Sequence, residues 1–338
     1  MKHKLSRISM VLSTSGLLAA GLASSAYAAT PASAQTPSWH TVLSVPTNQF
    51  ETVIATGRTS AWAFEGGSAY ERTGATWRTV AFPGNGGEVN VAGASSPSNV
   101  WVAYETGSGK PTVLYRWDGT NWLGAGSFYQ GGVTAISVLG PRDVWVFGNG
   151  TYHFDGSSWT ELSATAEGGS ATSDNNVWEF TGQEMTHYNG QKWTTTNLAS
   201  LLPAPLAGHP ASSLSEVLAL APNNVYATGE GNTTPRGGPG VVLHYDGRSW
   251  TRVAEGDGFI AVGGNLASDG NGGLWIAAQD FPARYPALFH YSGGQLTAVN
   301  LGATSLSVSL IPGTTEALSG GWQATGGGQS VGVVQQYS

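Results

Sequence analysis

The chain has no cysteine, so neither a disulfide framework nor a lipid-anchored N-terminal cysteine can be built into it. Charge is also scarce. Asp, Glu, Lys and Arg together make up 10% of the 338 residues, and the basic share is the smaller, 14 against 21 acidic. A clustered basic face that could neutralise phosphates has little to be made from, so no nucleic-acid partner is expected. Helical periodicity is almost absent, and beyond the first residues no run is apolar enough to span a bilayer. The His-Glu-x-x-His, Gly-x-Ser-x-Gly and Gly-Lys-Ser/Thr signatures are missing as well, and no cofactor is implied.

What is present begins with an export signal. Lys2, Lys4 and Arg7 precede the apolar run "ISMVLSTSGLLAAGLA", and Ala26-Tyr27-Ala28 makes a small-x-small cleavage site. Residues 1–28 therefore read as a signal peptide, 29–36 as a short linker and 37–338 as a single domain. The product is expected to be secreted and monomeric, with no membrane insertion after cleavage. Loss of the three early cations leaves 11 basic against 21 acidic residues, a net charge of −10. With 49 Gly and 13 Trp, the composition is that of tight turns between aromatic-rich strands.

A unit of about 40 residues repeats along the chain. Each unit has an apolar strand, a Pro/Asn/Asp turn and a second strand opening with Val-Trp or its equivalent. A variable loop follows, then a third strand ending in an aromatic, a Gly turn and a fourth strand opening with Trp. The second-strand marks are Trp62, Trp101, Trp145, Trp178, Tyr226 and Trp275, with "TEALSGGW" (Ala317 to Trp322) as a degenerate seventh. The fourth-strand marks are Trp77, Trp122, Trp159, Trp193 and Trp250, with Leu296 in the sixth unit. The seventh unit stops at "VGVVQQYS", a third strand, while "PSWHTVLSV" near the N-terminus reads as a fourth. Joining the two closes a ring. The fold class is thus all-β, a seven-bladed β-propeller with four antiparallel strands per blade, and closure removes the exposed edges of an open array.

The best-preserved stretch of the repeat, "LHYDGRSWTRV" (Leu243 to Val253), reads as a structural element rather than an active-site motif. Asp118, Asp155, Asn189 and Asp246 each precede a Gly between two strands and are turn formers. The Trp after each turn is expected to pack between neighbouring blades.

The stretch "NNVYATG…VVLHYDGRSWTRV" resembles the kelch repeats of β-propellers and their bacterial relatives over nearly all of residues 37–338. It departs from them in mostly lacking the Gly-Gly doublet after the second strand and in a shorter Tyr-to-Trp spacing. There is a weaker resemblance to the Asp-box of sialidases, although "YDGRSW" sets the Asp next to the Gly. The copper chemistry of kelch-type galactose oxidases needs a Tyr crosslinked to Cys, which this chain lacks. The three converging arginines of a sialidase are not found either, since Arg72, Arg142 and Arg248 fall in turns opposite the long loops.

His153, His187, His244 and His290 occupy the same position in successive third strands, with Arg116 and Gln336 there in other units. Equivalent positions on different blades are spread round a ring, so these read as packing histidines and no metal site is expected. "DGNGG" (Asp269 to Gly273) lacks the alternating carboxylates of a calcium loop and reads as a turn. Loop length is more informative. The second-to-third and fourth-to-first connections share one face, and the long ones are 104–111, 197–213, 229–240 and 279–286. That face is the expected binding side. Its candidate ligand-binding residues are His209, Glu230, Arg236, Asp257, Asp280, Arg284 and Tyr285. The expected function is non-catalytic recognition of an extracellular glycan or protein. The alternatives are a glycoside hydrolase or lyase using Glu230, Asp257 and Asp280, or a protein-interaction scaffold.

Overall fold

The computed structural model describes residues 37–338 apart from 47–48, 108, 129–131, 206, 209, 232–238, 257–258, 281–284 and 327, and gives backbone alone for 259–264, 279–280 and 285–286. The expected signal peptide and linker lie outside the described residues.

Seven four-stranded antiparallel sheets surround a common axis. In blades one to six the four strands follow chain order from the inner strand to the outer one. Blade seven takes its inner three strands from Ser307–Leu310, Ala317–Thr325 and Gln329–Tyr337, and its outer strand from Trp39–Val45. The closing register pairs Trp39 with Tyr337 and His40 with Gln336. Backbone bonds from Ser38 N to Ser338 O (3.1 Å) and from Ser338 N to Ser38 O (3.3 Å) extend it. Seven blades, their four-strand make-up and the terminal closure are all as the repeat implied.

Position in the blade decides each strand's composition. A second strand is covered on both faces by neighbouring blades, so "NVWVAYE" (Asn99–Glu105) is buried from Asn99 through Tyr104. Outer strands meet a neighbour on one face only, and "WTELS" (Trp159–Ser163) is mostly exposed after its Trp. Trp62, Trp101 and Trp145 of the second strands are each 1% exposed. At roughly 150–250 Å² apiece and about 25 cal/mol/Å², each contributes on the order of 4–6 kcal/mol of burial before chain entropy is counted.

In blades two to five and seven the outer-strand Trp packs on the second-strand aromatic of the blade before it, while Trp77 of blade one meets Leu318 of blade seven. Trp122 joins the cluster of Trp62, Trp159 that of Trp101, Trp193 that of Trp145 and Trp250 that of Trp178. Leu296 does the same against Tyr226, and Trp39 lies 5.3 Å from Trp275, edge to face. The repeated Trp is therefore the joint between blades, as its spacing suggested.

The turn before it is made as expected. Asp118 Oδ1 accepts from the amides of Thr120 and Asn121, and Asp246 Oδ1 from those of Arg248 and Ser249, all at 2.8–2.9 Å. The Gly that follows each has positive φ, 100° at Gly119 and 92° at Gly247.

Inner strands leave one edge without a sheet partner, and side chains of the preceding blade satisfy part of it. Val53 N and Ala55 N donate to Ser307 Oγ (3.1 Å) and Ser309 Oγ (3.0 Å). Ala171 N donates to Ser137 Oγ, Ala219 N to Ser170 Oγ and Asn265 N to Glu216 Oε2, at 2.9–3.0 Å. The inner strands enclose an axial cavity of about 350 Å³, lined mainly by apolar groups with Ser137, Ser170, Ser307, Ser309 and Glu216 among them.

Candidate functional site

Three of the four long loops leave the C-terminal ends of second strands, and carboxylates stand there. Glu65, Glu105, Glu230 and Asp280 end the second strands of blades one, two, five and six. Glu51, Glu88 and Glu167 stand at the adjacent starts of inner strands. Among the described residues of the loops on this face, Lys110 is the sole cation. The opposite face holds Arg58, Arg142 and Arg248 in its turns, together with Asp118, Asp155, Asp174, Asp246 and Asp269, so carboxylates stand on both faces.

Three of these carboxylates serve the scaffold. Glu51 Oε2 accepts from Gly66 N (3.0 Å) and Glu167 Oε2 from Gly182 N (3.1 Å), each fixing a two-residue turn between second and third strands. Burial pushes the Glu51 carboxyl up; the Gly66 amide partly offsets this, and the like charge of Glu88 adds to it. Glu105 takes Asn90 Nδ2–H on Oε2 (3.0 Å) and Thr112 Oγ1–H on Oε1 (2.9 Å).

Glu230 differs. Its Oε2 is buried and has no hydrogen-bond partner, and burial pushes its carboxyl above the ordinary value. Two residues earlier on the same strand face, Thr228 is fully buried, and its Oγ1 is also without a partner. Tyr226, one step further along that face, packs on Leu274, Ile276 and Ala278 of blade six. Directly opposite Thr228 lies Glu216 on the inner strand Ser213–Ala221. The polar row Thr228–Glu230 therefore faces the seam between blades five and six.

Blade six is irregular at this seam. Ala261 pairs with Ala278, but the next pair is Leu266 with Ile276, so the inner strand carries extra residues from Val262 to Asn265. A bulge of this size re-aims the backbone, and here it presents Asn265 N to Glu216 Oε2. Gly263-Gly264 within an otherwise apolar run is the sequence signal that would have marked it. Thr228 and Glu216 were not anticipated, because they sit inside stretches that read as plain strand and only the register brings them together.

Of the expected ligand-binding residues, Glu230 is the one whose side chain is described. His209, Arg236, Asp257 and Arg284 lie outside the described residues. Asp280 and Tyr285 face each other at the base of the blade-six loop by backbone register, with their side chains outside the description. The carboxylate pairing weighed for hydrolysis involves those same side chains.

The two ends of the connection between blades four and five, at Leu198–Leu202 and Ser212, are fixed to the scaffold. Leu198 and Leu202 are buried in the blade four to five core. Arg252 Nε and Nη2 donate to Leu201 O (2.8 Å) and Leu202 O (3.0 Å), and Gln183 Nε2 donates to Ser212 O (2.9 Å). Aromatic rings offer no platform on the described surface: none of the 13 Trp is exposed, and the exposed large hydrophobics are Leu123 and Leu162. Sugar recognition by stacking on exposed Tyr and Trp therefore finds no support among the described residues.

The four third-strand histidines do not converge. Each stacks on the second-strand aromatic of its own blade, at centroid distances of 4.3 Å for His153 on Trp145, 4.1 Å for His187 on Trp178, 4.5 Å for His244 on Tyr226 and 4.0 Å for His290 on Trp275. Nε2 of each lies 3.0 Å from an oxygen of Asp143, Asn176, Asn224 or Asp269 respectively. Burial holds His187 and His244 below the ordinary imidazole value. Arg116 stands in the same place over Trp101, 5.7 Å from the ring.

No protein-family model matches the chain, and no curated protein matches it by sequence. Solved structures do. YCF48 bound to D1 peptide superposes with a TM-score of 0.59 at 12% identity, covering 88% of this chain and 96% of that one. The WD40 β-propeller domain of Doa1 gives 0.59 at 11%, covering 88% and 96%. The GH74 xyloglucanase from Xanthomonas campestris gives 0.56 at 14%, covering 87% of this chain and 55% of its own. At such identities the likeness concerns architecture alone, and what this chain shares with all three is the β-propeller fold.

Proposed function

We propose that the protein is an exported, non-catalytic binding propeller whose long-loop face, over blades five and six, takes a basic segment of another polypeptide. The observation that carries this reading is Glu230 Oε2, a buried carboxylate oxygen without a donor on the long-loop face. A desolvated carboxylate is unfavourable alone and strongly favourable once a charged donor reaches it. An ammonium or guanidinium group supplies that donor. The lack of a described aromatic platform weighs against sugar stacking as the main contact. The export signal and the peptide complex of the similar YCF48 propeller are in keeping with this reading.

The test is binding of the full chain to fluorescent Lys- and Arg-containing peptides, neutral peptides of equal length, and xyloglucan oligosaccharides. Basic peptides should bind, more weakly as salt rises, and Glu230→Ala should reduce affinity by roughly tenfold or more. Binding confined to the oligosaccharides, or unchanged in E230A, would overturn the reading.

A further inference from the structure

His153 has a second carboxylate beside it, and no comparable group stands by the other three histidines. Its Nε2 lies 3.0 Å from Asp143 Oδ1 and 3.5 Å from Asp174 Oδ1. The three ligand atoms all lie within 4.8 Å of one another. Asp143 opens the second strand of blade three, and Asp174 comes from the first turn of blade four. All three residues reach solvent.

Two departures from the repeat make this cluster. The first residue of the turn between inner and second strands is Pro in blades two, three and five: Pro97, Pro141 and Pro222. In blade four it is Asp174. At the start of the second strand, Asn99 and Asn176 each accept the indole N–H of the Trp two residues on, at 3.1 and 2.9 Å. Asp143 does not, and the buried Trp145 Nε1 is left without a partner. The Asp143 carboxylate is turned instead to His153. Blade six repeats that Asp–His arrangement, but Asp269 Oδ1 is occupied by the amides of Asn271 and Gly273, both at 2.7 Å, and among the described residues no third ligand atom comes within 4.8 Å of the pair, although Glu316 lines the same cavity.

We propose that His153, Asp143 and Asp174 form a binding site for a divalent transition metal of the zinc class, clipping blade three to blade four. Tetrahedral ligands held at about 2.1 Å from an ion are about 3.4 Å apart, so the observed 3.0 and 3.5 Å spacings need only small adjustments. One imidazole with two carboxylates suits zinc and its neighbours, while the nitrogen donor disfavours calcium and magnesium. The ion takes the Nε2 lone pair, the ring proton resides on Nδ1, and water fills the fourth position.

The experiment titrates Zn²⁺ alone into the chelator-treated full chain, following uptake by competition with a chromophoric chelator and the melting temperature in parallel. About one equivalent should bind and raise the melting temperature, since an ion held only by the folded ring stabilises it by mass action. Asp174→Asn should weaken binding at least tenfold and abolish the thermal shift. Asp174→Pro, which installs the residue other blades hold at that turn, should do the same. His187→Ala, which removes the equivalent histidine of blade four, should leave uptake unchanged. No saturable uptake by the unsubstituted chain, or equal uptake by D174N, would overturn the proposal. D174N decides the matter if D174P fails to fold.

Discussion

Blades two and five are built to one plan and differ in how the closing glutamate of the second strand is bonded. Their inner strands, "EVNVAGASS" and "SLSEVLALA", carry bulges at matching places, between Val89 and Val91 and between Leu214 and Glu216, then again near their ends. Both second strands end in Glu. In blade two the bulge residue Asn90 and the third-strand Thr112 donate to Glu105. In blade five the corresponding residues are Ser215 and Gly240, and Glu230 Oε2 is unpartnered. The same carboxylate is thus a finished structural bond in one blade and a vacancy in the other. A repeat fold shows where binding has been placed by where the repeat leaves its own bonds unmade.

The comparison breaks first at the two glutamates. Glu105→Ala should cost about 2–3 kcal/mol, because Asn90 and the buried Thr112 lose their acceptor; Glu230→Gln should change stability by no more than about 0.5 kcal/mol. Denaturant unfolding of both variants checks this, and equal losses would erase the distinction between the blades.

The turns, by contrast, should behave alike. Gly119→Ala and Gly247→Ala force a Cβ onto positive φ and against Ser98 Cβ (3.0 Å) or Asn223 Cβ (2.7 Å), and each should lose about 1–2 kcal/mol. A large disparity would mean that the two blades differ in more than the bonding around that glutamate. Thr112→Val should lose about 1 kcal/mol while leaving the fold intact, moving Glu105 towards the condition of Glu230.

The smallest effect is a slope with pH. Burial raises the Glu230 carboxyl in the folded chain, so its contribution to stability is fully present below the ordinary carboxyl pKa and is lost as pH climbs through the raised value. The melting temperature of E230Q relative to the unsubstituted chain should therefore be higher at neutral pH than at about pH 4. A flat difference across that range would place Glu230 in water rather than against protein.

The ring was legible in the sequence because each blade repeats the same contacts: Trp122 must find Trp62 for the same reason that Trp250 must find Trp178. Glu230 was reachable too, from the clustering of long loops on one side. Thr228 and Glu216 were not, because "SLSEVLALA" and "NVYATGE" read as buried strand and only pairing register sets the two residues opposite each other. Asp174 lay in plain view as a carboxylate where neighbouring units hold Pro. Its meaning depended on the spacing between blades, which puts it beside a histidine 21 positions earlier in the chain.

The closing strand also fixes an order of events. Trp39 enters the chain before any residue of blade one, yet its sheet partner is Tyr337 and its ring neighbour is Trp275. Throughout synthesis, and through any passage across a membrane N-terminus first, that indole travels uncovered and its strand unpaired. Six blades can stack as they emerge; the seventh waits for the last turn of the ring. Closure therefore reports completion: a chain interrupted before Gln329 keeps an open edge and bare aromatic surface, the features by which proteases and chaperones distinguish unfinished protein from finished.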